Sequence, residues 1–305
     1  MFQQSSFPKV LNPGGKAYRD RFFEKSNLTT PMFTSIFHDR DPEGRWDMTR
    51  VAMSDVARIP ERPSESGPIA PREFEEIGSQ TFTQVEYAAG YTMGDRTLRV
   101  MPSEMVNAIP MLYADAANET LEYTAWGVMR NAFTTVGTID SKAMCANDHP
   151  LTIGGTASNY ATGTFSRSTL NSAIAAFKQF VTPQGRVISN VMPKYLVVPI
   201  ALEAAAKEAL GADIAGVAGG VFTAAQAAAS WGLELMVVPW LSDTNDWFLV
   251  ADPSSQLEGL ESYILTPPTF RNGEDEQNLI WFGNVQAHAT FGFTTWRQVW
   301  GASVT

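Results

Sequence analysis

The sequence predicts an α+β protein, and three features carry that reading. Residues 107–133, "NAIPMLYADAANETLEYTAWGVMRNAF", repeat apolar side chains at helical spacing over an unusual length. Met192–Leu210, "MPKYLVVPIALEAAAKEAL", reads as a short buried strand, a proline and an alanine-rich helix. The last segment, "NLIWFGNVQAHATFGFTTWRQVWGA", is aromatic and strand-like. The order along the chain is arm, hairpin, long helix, second helix, mixed region and final strands.

Composition narrows the function. The 305 residues are 44% hydrophobic, enough for a sizeable core. A net charge of −10 argues against a DNA-sequence reader, which needs a basic face to displace counterions. With one cysteine, Cys145, an internal disulfide is excluded and a thiolate zinc site disfavoured. No stretch approaches the roughly twenty apolar residues of a membrane span. The opening residues contain no apolar signal core. These features together point to a protein made and used in a reducing cytoplasm.

Residues 1–45 are broken by Pro8, Pro13, Gly14, Gly15 and Pro31, so an extended arm is expected, with one short helix near Tyr18–Lys25. Two strand-like runs follow, "RWDMTRVAM" and "SQTFTQVEYAAGYTM", on either side of the charged, proline-rich "RIPERPSESGPIAPREFEE". That pattern predicts a hairpin running out to a polar tip that is mobile in the free subunit. In the long helix, Asn107 is the expected cap, and Pro110 falls where a first turn tolerates it. The expected stripe is Ile109, Leu112, Tyr113, Ala116 and Ala117, then Leu121, Ala125, Val128, Met129, Ala132 and Phe133. Its length would be roughly 40 Å. In "RSTLNSAIAAFKQFVTPQG", Leu170, Ile174, Phe177 and Val181 share a helical face. Pro199 then opens a helix in which Glu203 and Lys207 pair one turn apart. "LELMVVPWL" and "DWFLVAD" read as an antiparallel hairpin, "LESYIL" as a strand and "RNGEDEQ" as a turn.

Motifs that carry chemistry are weak throughout. Asp39, Asp41, Glu43, Gly44 and Asp47 echo a calcium loop, but Pro42 intrudes and Arg50 stands where a bidentate glutamate belongs, so a solvated turn is expected. His38, His149 and His288 form no metal pair, and no G-x-S-x-G is present. "GVAGGVFT" lacks the lysine of a phosphate loop. "CANDHP" places Cys145, Asp148 and His149 close together in sequence, the one conceivable nucleophile and base. Trp231, Trp240, Trp247, Trp281, Trp296 and Trp300 crowd the last third, where core or subunit packing is expected.

The segments "PKYLVVPIALEAAAKEAL", "LELMVVPWLSDTNDWFLVADP" and "WRQVWGA" resemble, in this order, the major capsid proteins of tailed phages, especially the Mu-like major head subunit family. The resemblance is most specific over residues 104–305. It implies the Hong Kong 97 capsid fold: an N-terminal arm (1–45), an extended β-hairpin loop (46–95), and a peripheral domain with a spine helix (96–185). An axial domain (186–279) and return strands of the peripheral domain (280–305) would follow. The implied function is self-assembly, through pentamers and hexamers, into an icosahedral head shell around double-stranded DNA, without sequence-specific contact.

On that reading the chain is no enzyme and needs no catalytic residue, cofactor or metal. Arg58, Glu61, Arg62, Arg72, Glu73, Glu75 and Glu76 of the loop are the candidate subunit contacts. Some members of the family carry a cleaved scaffolding region; this chain begins near its arm, so a separate scaffold is expected, with a portal and a decoration protein as further partners. The place of residence would be the virion, after assembly in the host cytoplasm. In some relatives a loop lysine forms an isopeptide bond with a neighbour's asparagine, yet no lysine occurs between Trp46 and Met105. The alternatives are an encapsulin-like nanocompartment shell and a cytoplasmic α/β enzyme using Cys145 and His149.

Overall fold

A computed structural model describes residues 15–28, 30–55, 76–137, 139–210, 232–255 and 258–304. Two sheets organise them. Their strands are β1 (His38–Arg40), β4 (Val85–Gly94), β7 (Tyr160–Thr162), β8 (Pro193–Pro199), β9 (Glu234–Val238), β10 (Trp247–Ala251), β11 (Leu260–Asp275), β12 (Ile280–Phe293) and β13 (Val299–Ser303). The first sheet has strand order β1-β11-β12-β4, the second β7-β13-β10-β8-β9. A separate two-stranded ribbon joins β2 (Asp47–Met53) to β3 (Glu76–Thr83), and β5 (His149–Pro150) pairs with β6 (Thr156–Ala157).

The helix α1 (Lys16–Leu28) lies on the first sheet because Tyr18 and Phe22 share one face and are both buried. Phe22 stacks on Phe270 of β11 at 5.3 Å between ring centroids. The expected short arm helix is therefore present and longer than Tyr18–Lys25. After α2 (Asp95–Val100) comes the long helix α3 (Ser103–Arg130), which starts four residues before Asn107. Pro102 occupies the cap position with extended backbone, φ −56° and ψ 135°. Pro110 consequently sits inside the helix and not in its first turn. The buried stripe is centred on Val106, Pro110, Ala114 and Ala117; of the expected residues Ala117 is buried and Ile109 and Tyr113 pack against this cluster, whereas Ala116 is exposed and Leu112 is 65% exposed. The C-terminal half of the expected stripe matches, with Leu121, Ala125, Met129 and Ala132 in the core and Val128 and Phe133 packed against it.

The second sheet carries α4 (Arg167–Phe177) and α5 (Glu203–Leu210). A reciprocal cap, Ser166 with Thr169, starts α4, and Leu170, Ile174 and Phe177 are buried as expected. Val181 lies beyond the helix in a bridge to Val187. Pro199 ends β8 at φ −69° and ψ 163°, and a single 3₁₀ turn (Ile200–Leu202) leads into α5, where Lys207 Nζ donates to Glu203 Oε1 at 2.7 Å.

The expected hairpin of "LELMVVPWL" with "DWFLVAD" is not formed. β8 lies between these strands, parallel to β9 and antiparallel to β10. Six of the seven residues of β8 are buried, so this strand takes a neighbour on each edge, as central strands do. The other strand expectations also change in detail. "LESYIL" runs on through Arg271–Asp275, which stay paired with β12, and the turn shrinks to residues 276–279. Register shifts between Ile264 and Thr269 accommodate Pro267 and Pro268, which cannot donate to a ladder.

Candidate assembly surfaces and the anchored foot of the ribbon

The described part of the arm is held down by specific contacts. Tyr18 Oη donates to the Val106 carbonyl at 2.9 Å, and Tyr91 Oη donates to Tyr18 Oη at 3.1 Å. Further along, the side chain of Glu122, buried in α3, accepts from the Met32 backbone N–H and from Trp126 Nε1, the latter at 2.8 Å. Burial raises the Glu122 carboxyl above its ordinary range. Phe33 and Phe37 then insert edge-on against Phe291. The arm is thus fixed at both ends of its helix by polar groups that α3 holds in place.

The ribbon β2–β3 pairs only with itself, from Asp47 opposite Thr83 to Ala52 opposite Gly78. Its foot stands on β11. There Glu261 is fully buried, and two arginines approach it: Arg40 Nε of β1 at 3.5 Å and Arg50 Nε of β2 at 3.6 Å. Tyr263 Oη donates to Glu261 Oε2 at 2.7 Å, and Thr294 Oγ1 reaches Oε1 at 3.5 Å. A buried carboxylate is costly unless paired and hydrogen-bonded, and here both conditions are met. Beside it Phe82 packs on Tyr263 at 5.1 Å, with Met48 completing a small apolar cluster. Gln84 Nε2 donates to the Tyr263 carbonyl at 3.3 Å. At the other end of β2, two residues beyond Met53, Arg186 Nε donates to Asp55 Oδ2 at 2.9 Å and the Gln184 N–H to Oδ1 at 3.2 Å. These bonds hold the Asp55 carboxyl below its ordinary range against the opposing pull of desolvation.

Between these anchors apolar side chains stay partly uncovered by the described residues: Val51 and Met53 are about half exposed, as is Trp46 just before β2, whose ring lies edge-on to His288 at 5.5 Å. An isolated two-stranded hairpin is marginal in water, so apolar residues on such a ribbon ask for a covering surface. A second exposed apolar group, Val100, Met105 and Leu112, lies at the start of α3 and just before it. Of the loop residues singled out from sequence, Glu76 opens β3 as an exposed residue opposite Met53. Arg58, Glu61, Arg62, Arg72, Glu73 and Glu75 lie outside the described residues, as do "GVAGGVFT", Trp231 and the polar tip expected to be mobile. Sequence reasoning missed Arg40, Arg50, Asp55 and Glu261. The available signal was a lone glutamate inside the apolar strand "LESYIL".

The enzyme alternative loses its nucleophile. Cys145 is buried, and burial together with Asp246 pushes its thiol far above the ordinary range, away from the reactive thiolate. His149 is also buried, stacked on Trp296 at 4.5 Å, with its ring nitrogens on Asp140 Oδ2 at 2.7 Å and Asn159 Oδ1 at 2.9 Å. Asn159 Nδ2 in turn bonds the carbonyls of Met144, Trp296 and Val299. Asp148 faces away and pairs with Lys142. The cluster binds a loop to the core. The calcium-loop echo is a turn: Asp41 Oδ1 accepts from the Glu43 N–H, and Gly44 takes φ 72°. Trp247, Trp296 and Trp300 are core residues.

Two sheets bridged by a long helix, with a projecting ribbon and an arm, define the Hong Kong 97 class of shell proteins, and solved structures agree. The capsid of Myoviridae phage XM1 matches with a TM-score of 0.55 at 11% identity, over 90% of this chain and 91% of that one. Microbacterium phage Oxtober96 matches at 0.54 and 10%, over 100% and 96%. A virus-like particle from Pyrococcus furiosus matches at 0.50 and 9%, over 94% and 98%. At these identities the likeness shows the fold. No curated protein sequence matches. The family model described as "Phage capsid protein" matches residues 77–302, and the chain belongs to that family. It is a major capsid protein, a structural component of the virion that assembles into the phage head shell.

Proposed function

We propose that the chain forms pentamers and hexamers that close an icosahedral head around double-stranded DNA, assembling in the host cytoplasm with a separate scaffold and portal. The observation that carries this reading is the ribbon β2–β3, anchored on β11 and through Asp55, with apolar side chains that no described residue of the subunit covers fully. In the assembled shell, the ribbon within residues 46–95 lies as an extended loop over a neighbour while β4 stays in the first sheet, residues 1–45 form an arm, and α3 is the spine of a peripheral domain spanning 96–185 and 280–305. Residues 186–279 form the wedge that meets its copies at the capsomer centre. Arg58, Glu61, Arg62, Arg72, Glu73, Glu75 and Glu76 make loop contacts between subunits. Individually weak contacts suffice, because closed symmetry repeats each one over the shell. The acidic balance fits a wall that holds packaged DNA without gripping it. The nanocompartment alternative has less support, since the matching family is that of phage capsids.

The test combines sedimentation of the purified chain, with and without co-expressed scaffold, and negative-stain microscopy of the product. Capsomers or shells that lose regularity when residues 60–71 are deleted support the proposal. A chain that stays monomeric at all concentrations with its cognate scaffold present overturns it.

A further inference from the structure

We infer that Glu261 is a shared clasp between arm and ribbon, through which a shift of the arm strand β1 changes the setting of β2–β3. Three observations carry this. First, one fully buried carboxylate meets a guanidinium from each element, Arg40 from the arm and Arg50 from the ribbon, at nearly equal distances of 3.5 and 3.6 Å. Second, the carboxylate itself is rigidly placed: it lies on β11, inside the first sheet, with Tyr263 and Thr294 hydroxyls on its oxygens. Third, among the described residues β1 is three residues long and pairs with β11 alone, and the ribbon pairs with no strand of either sheet, so its ties to β11 are side-chain ones: the Arg50–Glu261 pair, the Gln84 bond and the Phe82–Tyr263 contact.

Two cations sharing one buried anion are interdependent, because withdrawing one changes the charge balance felt by the other. Glu258 adds a second carboxylate within electrostatic reach of both arginines. If the arm moves and Arg40 leaves, Arg50 is the remaining arginine on Glu261, and the ribbon settles into a new position. The converse holds for a ribbon drawn onto a neighbour. The device deepens the shell reading and rests on it for its purpose: contact made at the arm is reported to the ribbon. The coupling itself belongs to the single subunit.

Hydrogen exchange on the full-length, unassembled chain tests it. Arg40→Met removes the charge and keeps the stem. The expected result is roughly tenfold faster exchange in residues 47–53 and 76–83 as well as in 38–40, from the loss of one ion pair to a buried carboxylate. Arg50→Met loosens 38–40 in return, and Arg40→Lys restores part of the protection. Connection through the chain alone is excluded with Ser262→Ala, which removes the 3.2 Å bond from Ser262 Oγ to the His38 carbonyl and leaves the clasp intact. That variant should loosen the backbone of 38–40 while Arg40 stays on Glu261, and so disturb the ribbon less than Arg40→Met does. Arg40→Met with ribbon exchange unchanged, or Ser262→Ala loosening the ribbon equally, overturns the inference. Failure of the shell reading would appear separately, as a coupled subunit that never assembles.

Discussion

Tyr18 donates its hydroxyl hydrogen to the backbone carbonyl of Val106, 88 residues away, and Pro110 is why that carbonyl is available. A helix carbonyl accepts from the N–H four residues later, and proline has none. The interruption in α3 that proline creates is filled by the arm. A helix interior thereby becomes a docking point for a segment that has no core of its own.

Tyr18→Phe should therefore destabilise the subunit by about 1–2 kcal/mol, since it strands a buried carbonyl and the Tyr91 hydroxyl. In a Pro110→Ala background the same change should cost less, because the alanine supplies the missing N–H. Urea unfolding of the four proteins measures this, and strict additivity would refute the explanation.

Stability should fall with acid through His38. Burial first, then Arg40 and Arg50, lower its pKa from the ordinary 6.5 to about 4, with Asp252 opposing. The unfolded chain therefore binds this proton more tightly than the folded one. The favourable state, a neutral ring, is fully present above pH about 6.5, and stability is lost as the pH falls from there towards 4. His38→Asn should flatten that part of the urea-midpoint profile. An unchanged slope would assign the acid sensitivity to other groups.

Gly283 should not tolerate a side chain. A Cβ there would lie 2.6 Å from the Tyr91 ring and 2.8 Å from that of Phe270, two aromatic groups that flank the α1–sheet contact. Gly283→Ala is expected to cost about 1–3 kcal/mol by overpacking. Gly94→Ala is the control, with φ −72° and nothing within 4 Å of the new methyl. Thermal melts of the two variants should differ clearly; equal melting temperatures would contradict the packing described.

Mature particles should contain no covalent links through the extended loop. An isopeptide bond needs an amine nucleophile, and residues 46–105 offer arginines but no lysine. Arginine stays protonated and cannot replace it. Particles boiled in SDS should give one band near 33.4 kDa. A ladder whose linked fragment contains a loop peptide would disprove this.

Much of the fold was legible because burial leaves a local trace. The spacing of Leu121, Ala125 and Met129 reports the inward face of α3, and the apolar run Tyr195–Val198 before Pro199 reports a buried strand followed by a helix start. The family, too, was readable from the order of such words. The start of α3 was misread because Asn107 is a good cap by type, while Pro102, with its extended backbone, ends the preceding segment and takes that place.

What the sequence by itself determined, then, is the set of elements and their inward faces, since periodicity acts over a few residues. Only the tertiary structure decided who sits beside whom. β8 separates β9 from β10, although those two follow each other in the chain, because a strand buried on both faces needs partners on both edges. Arg40, Arg50 and Glu261 likewise look like ordinary charges one by one. They become a clasp only when β1, β2 and β11 converge, because electrostatic pairing in a low-dielectric interior depends on distance in space and leaves no period in sequence.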